Sequence, residues 1–159
     1  MANMTNTIAE FMGQDHDRLD EVFHEFQRVK TSDADRAKAL LVEFLMGLQR
    51  HIVWEEELLF PLFENATGMR DHGPTAVMRM EHRRIKECLK SIHDRIVAGD
   101  TATDEFERGL LQVLTAHNQK EENILYPWID DSVDKADKEA VFTQMKNLPP
   151  ERYSRCCES

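Results

Sequence analysis

The chain has 159 residues, and its 30 acidic and 20 basic side chains give a formal net charge of −10 at pH 7. This length predicts one domain with a substantial apolar core. The negative charge disfavours nucleic acid and anionic membranes as partners, since both attract positively charged surfaces. The sequence shows no leader pattern and no apolar run of about 18 residues, so we expect neither a secretory signal nor a membrane span. Cys88, Cys156 and Cys157 are too few for a disulfide framework, and we therefore expect a cytoplasmic protein.

Four long segments carry apolar residues at intervals of three and four, which predicts α-helices rather than strands. The expected helices span residues 5–29, 33–63, 74–98 and 102–129, with a short fifth helix at 134–147. Turn and capping residues separate them. Because short loops join long helices, the predicted fold is all-α, an up-down-up-down antiparallel four-helix bundle. We expect this bundle to occupy residues 1–148 and a flexible C-terminal tail to follow at 149–159.

Pro61 and Pro127 lie inside the second and fourth predicted helices. Proline lacks the backbone N–H, and its ring clashes with the preceding helical turn. We therefore expect each proline to kink or end its helix.

One motif occurs twice, as HIVWEEELLFPLF at residues 51–63 and as HNQKEENILYPWI at residues 117–129. In each copy a pair of glutamates begins four residues after the histidine, and a proline lies ten residues after it. Two further histidines, His16 in DHDRL and His82 in EHRRI, each precede a motif by 35 residues. The corresponding histidines of the two halves are 66 residues apart, so each half of the chain carries the same half of a site.

The four repeated histidines fall on the apolar faces of the predicted helices, one on each helix. A step of four residues keeps two side chains on the same face, so Glu55 and Glu121 are expected to point inward with the histidines that precede them. Glu56 and Glu122 are expected to turn toward solvent or the outer side of the site. Beyond the glutamates, the inward faces are predicted to continue through Leu58, Leu62, Ile124 and Trp128.

Four imidazoles and two carboxylates inside a bundle are costly to bury unpaired, and metal ions supply the missing partners. One zinc ion takes about four ligands and leaves two of the six unused. Two irons use all six, with the glutamates as bridges. Two ferric ions also carry more charge than two glutamates neutralise, so an added oxygen anion is expected. The predicted cofactor is two non-haem iron ions with an oxo or hydroxo bridge, held by His16, His51, Glu55, His82, His117 and Glu121.

The elements DH-x2-L, H-x3-EE-x2-L-[FY]-P and EH-x2-I resemble those of the hemerythrin-like, or HHE cation-binding, family over roughly residues 8–130. The resemblance implies a four-helix bundle around a non-haem diiron centre. It also implies that the four histidines are nitrogen ligands and that Glu55 and Glu121 are bridging carboxylates.

Two positions differ from the oxygen-carrying hemerythrins. Those proteins have a second histidine four residues after the one that matches His82, where this chain has Lys86. They bridge with an aspartate five residues after the last histidine, where this chain has Glu122 after Glu121. The arrangement is more similar to the four histidines and two glutamates of bacterial iron-sulfur repair proteins, although the cysteine-containing extension of many repair proteins is expected to be missing.

The remaining histidines, aromatic residues and cysteines are not predicted to bind the metal ions. His24, His72 and His93 are predicted to be ordinary polar residues, because they lie two or more helical turns from the site or in a loop. Trp54 and Tyr126 are predicted to fill the bundle rather than line the site. The paired cysteines near the C-terminus are expected to lie in an exposed terminus.

Three classes of function are compatible with an iron pair that keeps an open position. The first, which we favour, is a protein that binds or senses oxygen, nitric oxide or a related small ligand. The second stores or donates iron, for example in the repair of iron-sulfur clusters, with a protein partner that the sequence does not identify. The third is a redox enzyme that acts on peroxide or nitric oxide. No further acid, base or nucleophile stands out, so no catalytic residue is predicted.

Overall fold

A computed structural model describes residues 7–154, which form five helices and a final 3-10 turn and contain no strand. α1 packs on α2, and α3 packs on α4, as antiparallel neighbours joined by short loops. The predicted all-α bundle with a short extra helix is confirmed. The helices are α1 (Ile8–Val29), α2 (34–67), α3 (Pro74–Val97), α4 (104–132) and α5 (Lys135–Lys146).

Side chains that bind free backbone N–H groups mark where the helices begin. Thr7 accepts a hydrogen bond from the third residue of α1 at 3.1 Å, and Asp33 caps α2 in the same way at 3.1 Å. Asp130, in the last turn of α4, accepts the N–H groups of Ile8 and Ala9 at 2.8 and 3.1 Å. The start of α1 is therefore fastened to the end of α4.

α2 and α4 each change to π-helical bonding for one short segment, Trp54–Leu59 in α2 and Glu121–Leu125 in α4. In both segments, the residue just before the proline donates its N–H to the carbonyl of the glutamate five residues back. The proline that follows has no N–H to place, and the wider turn before it leaves room for the ring. The helices therefore continue past Pro61 and Pro127 to residues 67 and 132, and do not end at the prolines.

These π-helical segments change which side chains face the core. The wider turn shifts the inward face by one position relative to the regular helical spacing. Ile124 and Trp128, predicted to point inward, are 57% and 39% exposed, and Leu58 and Leu62 are only half-buried. The prediction that these four residues face the core of the bundle is therefore wrong. The buried residues are instead Leu59, Phe60, Phe63, Leu125, Tyr126 and Ile129.

The apolar core consists of two clusters, and the four repeated histidines lie between them along the bundle. One cluster is centred on Phe23, Phe26 and Phe44. The other is covered by α5, where the indole N–H of Trp54 donates to the carbonyl oxygen of Met145 at 3.1 Å. None of the helices between residues 7 and 154 has the length and apolar character needed to cross a membrane.

The end of the described chain lies against the bundle. Pro150–Arg152 form the 3-10 turn, and Arg152 pairs with Glu57 of α2. Cys156 and Cys157 lie outside the described residues. The flexible tail at 149–159 and the domain boundary after residue 148 stay predictions.

Candidate metal centre

The six side chains predicted as ligands lie together in the middle of the bundle. His16 of α1 and His51 of α2 form one pair, with ring centroids 4.6 Å apart. His82 of α3 and His117 of α4 form a second pair at 4.9 Å. The four imidazoles are at most 4% exposed, and the two glutamate side chains between them are fully buried. Each half of the chain therefore contributes one histidine pair, as the repeat predicted.

The two glutamates lie between the histidine pairs. Glu55 Oε1 is 3.5 Å from Nε2 of His51 and 3.2 Å from Nε2 of His82. On the other side, Glu121 Oε1 is 3.2 Å from Nε2 of His16 and 3.2 Å from Nε2 of His117. Each carboxylate thus faces one histidine of each pair, which is the position that a bridge between two cations requires.

Acidic residues orient two of the histidines from the outside. Asp15 Oδ2 lies 2.8 Å from Nδ1 of His51, and Glu81 Oε1 lies 3.0 Å from Nδ1 of His117. An Nδ1–H that donates to a carboxylate leaves the Nε2 lone pair directed at the centre. Neither acid was among the residues predicted from the sequence. The repeat contains the signal, since each acid immediately precedes the lone histidine of its half at the same 66-residue spacing.

The second glutamate of each EE pair lies beside one of the other two histidines. Glu56 Oε2 lies 2.6 Å from Nδ1 of His82, and Glu122 Oε1 lies 3.5 Å from Nδ1 of His16. Both glutamates therefore lie on the outer side of the site, as predicted. Three carboxylates thus hold His51, His82 and His117 by hydrogen bonds at Nδ1, and a fourth, Glu122, lies near His16.

Apart from Nδ1 on the outer side of His16, three donor atoms of the cluster are buried without a hydrogen-bond partner in the described structure: Glu55 Oε1, His82 Nε2 and Glu121 Oε2. Buried polar atoms are rarely left in this state, because desolvation without a partner is costly. A cation between the imidazoles and the carboxylates would satisfy all three atoms. The donor set therefore fits a metal ion.

Ionisation in the cluster is unequal between the two glutamates. Burial, followed by the charge of Glu121, raises the pKa of Glu55 well above its ordinary value. Burial alone would also raise the pKa of Glu121, but hydrogen bonds with Glu55, His117 and His16 hold it well below its ordinary value. In the protein alone, Glu55 is therefore the carboxyl group of the two that more readily holds a proton. A cation would displace that proton.

The hydroxyl of Tyr126 lies inside the cluster. It is 3.1 Å from Nε2 of His51, 3.3 Å from Nε2 of His16, 3.0 Å from Glu55 Oε2 and 2.9 Å from Glu121 Oε1. Burial and the charges of the two glutamates raise the pKa of Tyr126 well above its ordinary value, so the hydroxyl keeps its proton and can donate it to one of the two carboxyl groups. The prediction that Tyr126 only fills the bundle is wrong.

The other candidate residues lie where the sequence placed them. Trp54 packs in the core against Phe11, and His24, His72 and His93 lie apart from the buried cluster. Lys86 is exposed, because the neighbouring position on α3, Ile85, takes the inward face.

A small cavity adjoins the cluster on the side away from Tyr126, with room for about one water-sized molecule. It borders every residue of the cluster except His16. One polar side chain outside the cluster, Asn118, also lines it. The rest of its wall is apolar and consists of Leu48, Ile52, Ile85 and Leu114.

An antiparallel four-helix bundle that directs one histidine from each helix at two central carboxylates defines a class of cation-binding bundle proteins. The sequence profile of the hemerythrin HHE cation binding domain matches residues 7–129. The chain belongs to this family.

Curated relatives of the chain include three proteins that are each named iron-sulfur cluster repair protein YtfE. The protein of Edwardsiella ictaluri (strain 93-146) is 35% identical over 50% of this chain and 40% of its own length. The protein of Enterobacter sp. (strain 638) is 25% identical over 76% of this chain and 61% of its own length. The protein of Yersinia pseudotuberculosis serotype O:1b (strain IP 31758) is 26% identical over 78% of this chain and 65% of its own length. The chain thus spans less than two thirds of these relatives, and no solved structure matches it.

Proposed function

We propose that the chain binds two iron ions between its two histidine pairs and that Glu55 and Glu121 bridge them. The observation that supports this most strongly is the position of each carboxylate oxygen, 3.2–3.5 Å from one histidine of each pair. The three unpartnered donor atoms support it independently. The proposed ligands are His16, His51, Glu55, His82, His117 and Glu121.

The family and the donor chemistry both favour iron. Imidazole and carboxylate donors suit iron, and six of them exceed the four that a structural zinc ion takes. Bound iron would supply redox chemistry and an open position for a small ligand. The protein would supply the orientation of the imidazoles and the exclusion of bulk water. The proposal includes a single bundle domain over residues 1–148 and a cytoplasmic location.

The optical spectrum tests the iron pair. Protein that is loaded with ferrous iron and then exposed to air should absorb in the near ultraviolet as a bridged ferric pair does, and reduction should remove this absorption. Zinc-loaded protein is the control without redox chemistry. A protein that prefers zinc in competition, and that lacks this absorption after iron loading, would contradict the proposal.

We further propose that the centre binds or senses a small ligand such as nitric oxide or oxygen. The cavity supports this, because it borders the centre, has apolar side chains on the wall away from the centre and holds only about one small molecule. Apolar walls favour a neutral ligand, and the small volume disfavours larger substrates. Asn118 is the one neutral polar group beside this ligand position.

The cavity gives a direct test of the small-ligand proposal. Ile85→Phe should fill the cavity and slow nitric oxide binding to the reduced iron form by tenfold or more, while the iron content is unchanged. Ile85→Leu conserves side-chain volume and should bind nitric oxide as the wild type does. Equal binding rates in all three proteins would contradict a ligand position in this cavity.

A second candidate is the donation of iron in the repair of iron-sulfur clusters, which the names of the relatives favour. In that case the iron should transfer to an iron-depleted cluster protein faster than it transfers to a small chelator of equal affinity. Iron that stays on the chain in the presence of such an acceptor would favour the small-ligand function instead.

A further inference from the structure

The two halves of the proposed centre differ in the aromatic residue that precedes the proline of each motif. Every ligand in one half has a counterpart 66 residues away in the other half, and the counterpart of Tyr126 is Phe60. The Phe60 ring stacks on His82, with centroids 6.0 Å apart and planes at 6°. One histidine pair therefore has a phenol beside it, and the other has a hydrocarbon ring.

The Tyr126 oxygen has the spacing of a ligand. Two ligands about 2.1 Å from an ion and at right angles to each other are about 3 Å apart. The oxygen lies 3.3, 3.1 and 2.9 Å from the donor atoms of His16, His51 and Glu121. These three residues form a group of three possible metal donors, whereas the group around the other histidine pair already has four. Tyr126 supplies the fourth donor to the smaller group.

We propose that the phenol oxygen of Tyr126 binds the iron held by His16 and His51, so that the two irons are chemically unlike. This inference rests on the proposed iron centre. On binding, the O–H bond of the phenol is replaced by an O–iron bond, and the proton leaves to solvent. No electron is transferred in this step.

The asymmetry assigns the small ligand to the opposite iron. Tyr126 occupies a coordination position at the His16–His51 iron. The iron held by His82 and His117 has only the Phe60 ring on that side. The cavity also borders both histidines of this second pair, but only His51 of the first. The open position therefore belongs to the iron at His82 and His117.

Absorption in the visible range tests the tyrosine ligand, because a ferric ion bound to a phenolate shows a charge-transfer band there and enhances the Raman bands of the ring. The chain has two tyrosines, Tyr126 and Tyr153. In oxidised, iron-loaded protein, Tyr153→Phe should keep the visible band, and all of the band then comes from Tyr126. Tyr126→Phe should lose the band while it keeps the wild-type number of irons and the helical circular dichroism spectrum. Phenylalanine is the residue at the matched position of the other half, so the fold should tolerate it.

The outcomes separate the two proposals. If wild-type protein binds two irons but the Tyr153→Phe protein shows no visible band, the tyrosine ligand is disproved and the iron pair stands. A band that survives in Tyr126→Phe also overturns the ligand assignment. If wild-type protein does not bind two irons, the proposed centre itself fails. If Tyr126→Phe does not fold, the Raman bands of the Tyr153→Phe protein still show whether Tyr126 binds iron, because Tyr126 is the sole tyrosine of that variant.

Discussion

At the scale of single residues, hydrogen bonds to three carboxylates determine which nitrogen of His51, His82 and His117 faces the centre. Asp15 and Glu81 contact histidines of the neighbouring helix, at 2.8 and 3.0 Å, and so link the two helices of each half. Asp15 also accepts hydrogen bonds from Arg18 at 3.0 and 3.1 Å. These contacts, with those of His51, hold its pKa below the ordinary value although burial alone would raise it. The aspartate is therefore an anion that restricts the His51 ring.

Asp15→Asn should weaken metal binding about 10–100-fold, which is the usual effect of removing a carboxylate behind a ligating histidine. The amide keeps the shape of the side chain but removes the charge that supports the Nδ1–H of His51. Competition with a chelator of known affinity measures the change. Asp17→Asn, two residues away on an exposed position, is the matched control. Equal affinities for the two variants would show that Asp15 does not orient the ligand.

The repeat supplied two copies of the evidence for the positions of the candidate ligands. The positions of the four histidines and of Glu55 and Glu121 followed from spacing, and the structure places these side chains together. Tyr126 could not be found in this way, because an aromatic residue at an apolar position usually fills the core. Only the contrast with Phe60 distinguishes it, and the meaning of that contrast depends on which atoms the hydroxyl contacts.

At the scale of elements, the π-helical segments are the feature that helical periodicity did not predict. In a regular helix, side chains three or four residues apart point to the same side. A single wider turn shifts the inward-facing positions after it by one residue. Leu59 and Leu125 are therefore buried, although the regular spacing placed Leu58 and Ile124 inward. The wide turn forms where the glutamate and the proline of each motif must both be accommodated in a packed bundle. Local sequence preference does not contain that tertiary requirement.

Two glycines inside helices differ in their surroundings, and their replacement by alanine should have opposite effects on stability. Gly47 of α2 packs closely against α1, whereas Gly109 of α4 faces open space. A Cβ on Gly47 would lie 2.7 Å from Cδ2 of Leu19, which is buried in the core. A Cβ on Gly109 would meet no atom within 4 Å. Gly47→Ala should destabilise the protein by about 1–3 kcal/mol through overpacking, whereas Gly109→Ala should stabilise it by up to about 1 kcal/mol through helix propensity. Urea unfolding of both variants measures these values, and equal effects would contradict the packing argument.

An ion pair between α2 and α3 predicts a pH-dependent part of the stability. Glu64 accepts hydrogen bonds from Arg79 at 2.5 Å and from Thr75 at 2.8 Å. Burial alone would raise its pKa, but these contacts lower it below the ordinary value of 4.5. Glu64→Gln should cost about 1–3 kcal/mol at neutral pH, as expected for loss of a charged hydrogen bond.

The stabilisation by ionised Glu64 is fully present above the unfolded-state pKa and is lost as the pH falls through the lower folded-state pKa. The difference between wild type and Glu64→Gln should therefore shrink below pH 4.5, the ordinary value for this group. Urea unfolding of the metal-free proteins over a pH series measures it. A difference that stays constant from neutral to strongly acidic pH would show that the charge of Glu64 is not what stabilises the contact.

At the scale of the whole molecule, the centre lies between the two helix pairs and joins them. Each proposed bridge contacts a histidine from both halves of the chain. Metal bound only by the folded state should therefore stabilise the entire bundle by mass action, by about 2.7 kcal/mol at a hundredfold excess over the dissociation constant. Thermal unfolding should show a melting temperature several degrees higher with ferrous iron than with a chelator. Magnesium, which prefers oxygen ligands, is the control and should give little increase. Equal melting temperatures with iron and with chelator would contradict the link between the site and the fold.

The number of irons per chain tests the central claim most directly. Metal analysis of iron-loaded wild-type protein should give about two irons per chain. Glu55→Ala should lose more than one of them, because a bridge holds both ions. Glu57→Ala, which changes a partly exposed glutamate of the same motif, should keep both. A single iron in wild-type protein, or the loss of only one iron in Glu55→Ala, would contradict a pair of irons bridged by this carboxylate.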